Sequence, residues 1–284
     1  MSEYVLNAVS WIARILPVSL KRSIYKMGPI SNMVRGGLNR LAPEGKTTVV
    51  IASGYLEGIR ISLDLKSEKD LWLGTYEPEL QQAIIEYVNP GMTAYDVGAN
   101  IGYMSLLLSK TVGETGYVYS FEAFPENIDR LRKNLRLNNF TSNVEVIPKA
   151  VVDTEREVKF LVGPSGGMGK VEGSAGRDNV KYGGVISVSG ISLDEFVFEF
   201  GNQVPDVLKM DIEGGEVLAL PGMKRVIAQA KPVILLELHG PEAAGTAWEL
   251  LRNVGYHIQQ MKAGNPPIIC EKELDWKSYL LAIP

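Results

Sequence analysis

Residues 94–110 read AYDVGANIGYMSLLLSK, and this stretch decides the fold. Ala94, Tyr95 and Val97, with Met92 just ahead, suit a short buried strand. Ile101, Met104, Ser105 and Leu108 recur at i, i+3, i+4 and i+7, one face of a helix. Between the two runs lies a turn holding Asp96, Gly98, Asn100 and Gly102. Gly98 can take positive φ and lets another group approach the backbone, and the helix that follows starts with free N–H donors. A strand–turn–helix of this kind often holds a nucleotide-like ligand.

Outward from this turn, apolar strands and amphipathic helices alternate. Strands are expected at 92–97, 116–121, 143–147, 205–210 and 232–238, and helices near 101–111, 126–138, 214–220 and 242–254. The alternation implies a mostly parallel sheet covered on both faces. Upstream, TTVVIASGYLEGIRISLDL (47–65) reads as a hairpin, and 78–88 as a helix ended by Asn89-Pro90-Gly91. YHIQQM (256–261) and PPIICE (266–271) are expected to close the sheet as an antiparallel pair. An insertion, 153–200, carries a glycine-rich stretch (163–184) that reads as a mobile loop over a cleft or a long surface loop.

Composition narrows the classes. Of the 284 residues, 45% are apolar and 22% charged, as in an ordinary globular protein. A net charge of −4 gives no reason to expect a nucleic-acid partner, although residues 1–40 carry +5 and the rest −9. Cys270 is the only cysteine and His239 and His257 the only histidines, which excludes a disulfide or a cysteine-based zinc site. The apolar start is broken by Arg14, and no run is long enough to span a membrane, so an intracellular, cytoplasmic protein is expected.

Three clusters carry chemistry. Glu122 ends the second parallel strand, where a carboxylate can accept from both hydroxyls of a ribose, with Phe124 placed to pack on a base. The turn Gly98-Ala99-Asn100-Ile101-Gly102 departs from a dinucleotide fingerprint, and the carboxylate of Asp96 would repel a pyrophosphate. S-adenosylmethionine (SAM), which has a ribose and an ammonium but no phosphate, suits the turn better. Next, Lys209, Asp211 and Glu213 converge at the end of the 205–210 strand, and capping of the following helix explains only Glu213 and Glu216. Last, Glu237 and His239 are two apart in a strand and so point to one side. Gly163-Pro164-Ser165-Gly166-Gly167 matches a nucleophile elbow but precedes no helix, and Gly169-Lys170-Val171 fails the phosphate-loop spacing.

With LGTYEPEL (73–80), YDVGANIG (95–102), FEAFPEN (121–127), ISLDEF (191–196), LKMDIEGGE (208–216) and ELHG (237–240), the chain resembles the FkbM family of SAM-dependent methyltransferases. The resemblance implies an α/β, Rossmann-like class I methyltransferase domain over 46–284. Its sheet would be seven-stranded and mostly parallel, with one antiparallel strand, and preceded by a helical extension (1–45). It implies SAM, leaving as S-adenosylhomocysteine, with Asp96, Gly98, Asn100 and Gly102 at the methionine part and Glu122 on the ribose. Ala150 would border the adenine, and Tyr76 and Glu77 the methionine end.

The reaction expected is O-methylation of a hydroxyl on a sugar, glycan or secondary metabolite. An alcohol must lose its proton to a base within hydrogen-bond reach. His239 is the first candidate, then Glu213 or Asp211; Asp211 can instead hold the SAM ammonium. Asp211, Glu213, Glu237 and His239 also have the chemistry to bind a divalent ion, a reading ranked below the metal-free one. A non-catalytic SAM-binding module and a nicotinamide-dependent oxidoreductase are the alternatives from other classes. At the basic start, Trp11, Ile12, Ile15 and Leu16 with Lys21, Arg22 and Lys26 can rest on an anionic membrane. Packing of that helical pair on the domain, or on a second subunit of a homo-oligomer, is the favoured reading.

Overall fold

The computed structural model describes residues 44–164, 168–176 and 180–284. The N-terminal helices, and with them the membrane contact, lie outside the described residues, as does Ser165. The chain divides into two compact units. One holds residues 44–78 with 136–138; the other holds Glu79–Leu135 and Asn139–Pro284.

In the first unit, β1 (Lys46–Val50) pairs antiparallel with β2 (Arg60–Asp64), the expected hairpin. Ile51, Leu56, Ile61, Leu63 and Leu65 are buried beneath it. Helix α1 (Lys69–Leu73) follows, and the Ala52 N–H donates to the Trp72 carbonyl at 2.8 Å, which ties the hairpin loop to the helix end.

Helix α2 (Pro78–Tyr87) leads into the larger unit. There the chain runs β3 (Thr93–Val97), α3 (Tyr103–Val112), β4 (Tyr117–Phe121), α4 (Pro125–Leu137) and β5 (Val144–Ile147). Next come β6 (Ala150–Val151), β7 (Arg156–Val162), β8 (Lys170–Val171) and β9 (Gly184–Ile191). It finishes with β10 (Val207–Met210), α5 (Glu216–Ala219), β11 (Val233–His239), α6 (Pro241–Asn253), β12 (His257–Gln260) and β13 (Lys277–Ile283).

Seven strands form the main sheet in the order β12-β13-β11-β10-β3-β4-β5. Only β13 is reversed; it runs antiparallel to both β11 and β12. The chain builds outward from β3 through β4 and β5, then returns to the other side of β3 with β10 and β11. The loops after β3 and β10 therefore diverge, and this switch point is where open α/β sheets leave a crevice for ligands. All five residues of β3 are buried, as its central place requires.

Two expectations change. The reversed strand is KSYLLAI, 277–283, and PPIICE gives only a single bridge, Gln259 to Pro267. Pro266 and Pro267 have no N–H to donate, so that segment cannot sustain a ladder. The helix expected over 214–220 is α-helical for one turn only and continues as a 3₁₀ turn, Leu220–Met223, because Pro221 removes a donor. The insertion is also more ordered than its glycine content suggests. β7 pairs antiparallel with β9 over seven positions, and β6, β9, β7 and β8 make a small second sheet with its own apolar cluster around Val152, Val158 and Phe160.

Beneath the main sheet, Phe196, in the helical turn Glu195–Glu199, meets three rings edge-on: Tyr95 at 5.8 Å, Tyr119 at 5.2 Å and Phe121 at 5.0 Å between centroids. Such pairs add to the area that they bury. Phe196→Ala is expected to cost about 3–5 kcal/mol, read from the shift of a urea unfolding midpoint.

Candidate active site

Asp96 lies inside the sheet, with no exposed surface. Its Oδ1 is 3.1 Å from Nζ of Lys209, and its Oδ2 accepts from the Ser105 hydroxyl at 2.6 Å. Lys209 stands opposite Asp96 in the β3–β10 register, so their side chains share a face, and its ammonium also donates to the Gly98 carbonyl at 3.0 Å. The negative charge expected to select a cationic ligand is thus matched from within.

The turn after β3 is shaped by close packing. Gly98 has φ 79°, and a Cβ there would sit 1.9 Å from the Asp211 carbonyl oxygen. Only glycine fits, because the protein's own backbone fills the space. A Cβ on Gly102 would be 2.4 Å from Leu131 of α4, so this position sets the approach of two helices. Asn100 is left-handed, φ 50°, and this turns its N–H toward Glu122.

Glu122 is 8% exposed at the end of β4. Its Oε2 accepts from the Asn100 N–H at 2.8 Å and its Oε1 from the Phe124 N–H at 2.7 Å. Burial raises its pKa, and these N–H groups offset part of the rise. The Ala123 N–H also contributes, and a carboxylate at this place is chemically suited to accept from a ribose hydroxyl. Phe124 stacks on Phe160 at 6.0 Å with ring planes 10° apart, so one face of its ring is already taken. Ala150 is buried in the same cluster. Tyr76 and Glu77 belong to the first unit, Glu77 with φ 39°.

At the ends of β10 and β11 the acids gather. One ligand atom each of Asp211, Glu237 and His239 lies within 4.8 Å of the other two. Nε2 of His239 is 3.0 Å from Glu237 Oε1 and 3.9 Å from Glu213 Oε2, and Nδ1 is 3.4 Å from Glu216 Oε1. Lys277 of β13 makes a close ion pair with Glu237, and Trp276 meets the imidazole edge-on at 6.3 Å. Burial alone would depress the His239 pKa, but contact with Glu216 and Glu237 and the charge of Asp211 push it up to about 10. Burial would raise the Glu237 carboxyl, yet His239 and Lys277 hold it below the usual range.

Part of the insertion crosses this edge. Lys170 Nζ donates to the Ala175 carbonyl at 2.8 Å, and the Ala175 N–H donates to the Gly214 carbonyl at 2.9 Å. A Cβ on Gly214 would lie 2.1 Å from that Ala175 carbonyl. The residues that the sequence left unassigned, Ser105, Trp276 and Lys277, come from a helix face and from the strand that was not foreseen. Only the register of β13, which sets Lys277 opposite His239, reveals the lysine.

A central strand followed by a glycine turn, a carboxylate ending the next strand, and one reversed strand near the far edge define the Rossmann-like class I methyltransferase fold, whose methyl donor is SAM. Residues 96–258 match the Methyltransferase FkbM domain, more than half of the chain, and the chain belongs to that family. It is 27% identical over 163 residues to the hexuronic acid methyltransferase AglP of Haloferax volcanii, covering 57% of this chain and 62% of that protein. Over 207 residues it is 26% identical to the AMB antimetabolite synthetase AmbE of Pseudomonas aeruginosa, covering 60% of this chain and 10% of that protein. A crystal structure of a methyltransferase FkbM from Methylobacillus flagellatus aligns with a TM-score of 0.44 and 16% identity, over 92% of this chain and 60% of that one.

Breaking the pair at the base of the turn should be costly. Lys209→Met leaves Asp96 charged and buried and is expected to destabilise the fold by about 3–5 kcal/mol. The double change Asp96→Asn with Lys209→Met should recover much of that loss in the same denaturation experiment.

Proposed function

We propose that the chain transfers a methyl group from SAM to a hydroxyl of a sugar, and of a hexuronic acid in particular. The observation that carries the transfer reading is Glu213, a carboxylate 30% exposed in the loop after β10, set beside the turn that suits the cofactor. The hexuronic acid methyltransferase relative supports the acceptor class. When bound, SAM supplies a methyl carbon already activated by a sulfonium, open to in-line displacement by the acceptor oxygen.

The chain's own residues have two tasks, to hold the donor and to take a proton. Asn100 and Glu122 offer polar groups to the donor's ribose side, and Asp211 can meet its ammonium. The acceptor hydroxyl loses its proton as the O–C bond forms, so a carboxylate must lie within its reach. His239 and Glu237 are almost wholly buried, whereas Glu213 is 30% exposed and Asp211 half-buried. Accessibility therefore favours Glu213 as the proton acceptor, with Asp211 second. Its left-handed backbone, φ 55°, projects Glu213 from the loop after β10. The stretch 174–176 lies against this loop, the Ala175 N–H donating to the Gly214 carbonyl at 2.9 Å.

Two measurements test this reading. Purified protein with SAM should form S-adenosylhomocysteine only when a hexuronic acid is added, and the sugar should gain one methyl by mass spectrometry. Release of S-adenosylhomocysteine with neutral hexoses alone would overturn the acceptor class, and no transfer at all despite SAM binding would favour a non-catalytic module. Glu213→Gln should lower kcat by about 10²–10⁴-fold with the SAM affinity unchanged. Glu122→Ala should instead weaken SAM binding by about tenfold or more in calorimetry, since hydrogen bonds to a charged group are lost.

A further inference from the structure

At the ends of β10 and β11, Asp211, Glu213, Glu216 and Glu237 gather about the His239 imidazole, and among the described residues Lys277 pairs with Glu237. Glu237 is 4% exposed and His239 1%. Even so, Glu237 Oε2 has no hydrogen-bond partner, and His239 Nε2 meets only carboxylates, Glu237 Oε1 at 3.0 Å and Glu213 Oε2 at 3.9 Å. Buried polar atoms are rarely left so, and those that are call for an ion or another group to satisfy them.

We propose that Asp211, Glu237 and His239 form a divalent-cation site. The proposal is independent of the acceptor assigned above. Three points carry it. The three residues bring one ligand atom each within 4.8 Å of one another, a span that one ion can bridge. Glu237 and His239 are buried, Glu237 keeps one oxygen without a hydrogen-bond partner, and Asp211 is half-buried. The third point is orientation. Glu216, wholly buried, sits 3.4 Å from His239 Nδ1 and is itself held by the N–H groups of Ile212 and Gly214. A carboxylate that takes Nδ1–H leaves the lone pair of the imidazole on Nε2, the arrangement that metal-bound histidines show. Two carboxylates with one imidazole suit a hard or borderline ion such as Mn²⁺ or Mg²⁺, with water completing the shell. Glu213, with its Oε2 3.9 Å from Nε2, borders the site as a further oxygen donor.

The test uses MnCl₂ alone, on the full chain, without SAM or sugar, so that it reads the ion and not the reaction. Titration followed by electron paramagnetic resonance should show loss of the free Mn²⁺ signal at one ion per chain, with Mg²⁺ in excess restoring it. Asp211→Asn, at the accessible edge, should weaken binding by at least about tenfold while circular dichroism stays that of the native fold. Glu216→Gln, a positioning change that touches no ion, should weaken it by about 10–100-fold. Full occupancy by Mn²⁺ should also raise the thermal midpoint of the native chain but not that of Asp211→Asn. Absence of one-site binding in the native chain, or unchanged affinity in folded Asp211→Asn, overturns the proposal.

Discussion

The buried pair of Asp96 and Lys209 is the constraint around which this molecule is arranged. It joins the two strands, β3 and β10, from which the sheet grows in opposite directions. Both side chains leave water completely, and a charge so placed is tolerable only with its partner. Because the two residues are register neighbours, any slip of β10 along β3 would separate them and carry both charges to the wrong positions. The lysine then reaches past the aspartate to the carbonyls at the start of the glycine turn. One ammonium thus sets the strand register and braces the loop that ends the strand.

The parallel strands were legible in the sequence because each, buried on both faces, reads as a short apolar run followed by a helix of clear period. Glu122, Glu237 and His239 were legible for the same reason, as polar residues at the ends of such runs. What was hidden depended on distant parts of the chain. KSYLLAI is as apolar as the other strands, yet it follows a stretch of prolines and charges that looked like the end of the sheet, and without it Lys277 had no place. The role of Asp96 could not be read from its neighbours, since its partner lies 113 residues further along. Gly98 was understood as room for a ligand, whereas the room is taken by the Asp211 carbonyl.

The insertion shows how glycine content can mislead. Gly163 and Gly169 sit in a tight connection between β7 and β8, where side chains would collide with Met168 and Phe160. A small sheet results, and its outer connection carries Ala175 and Gly176 across the loop after β10. Lys170, itself buried, holds that connection by the Ala175 carbonyl. Ala175 and Gly176, from the stretch that looked least structured in the sequence, therefore lie against the loop after β10.

The contact between Gly98 and Asp211 has a thermodynamic consequence. The carbonyl of the second loop occupies the space of a missing side chain in the first, so neither loop can rearrange while the other stays fixed. A molecule that settles against residues 98–102 thereby restricts residues 211–216, and one held by the second loop restricts the first. Linkage then requires that each change the other's affinity by the same factor. Any coupling between ligands held at the two strand ends would have to pass through this contact, at the absent Cβ of one glycine.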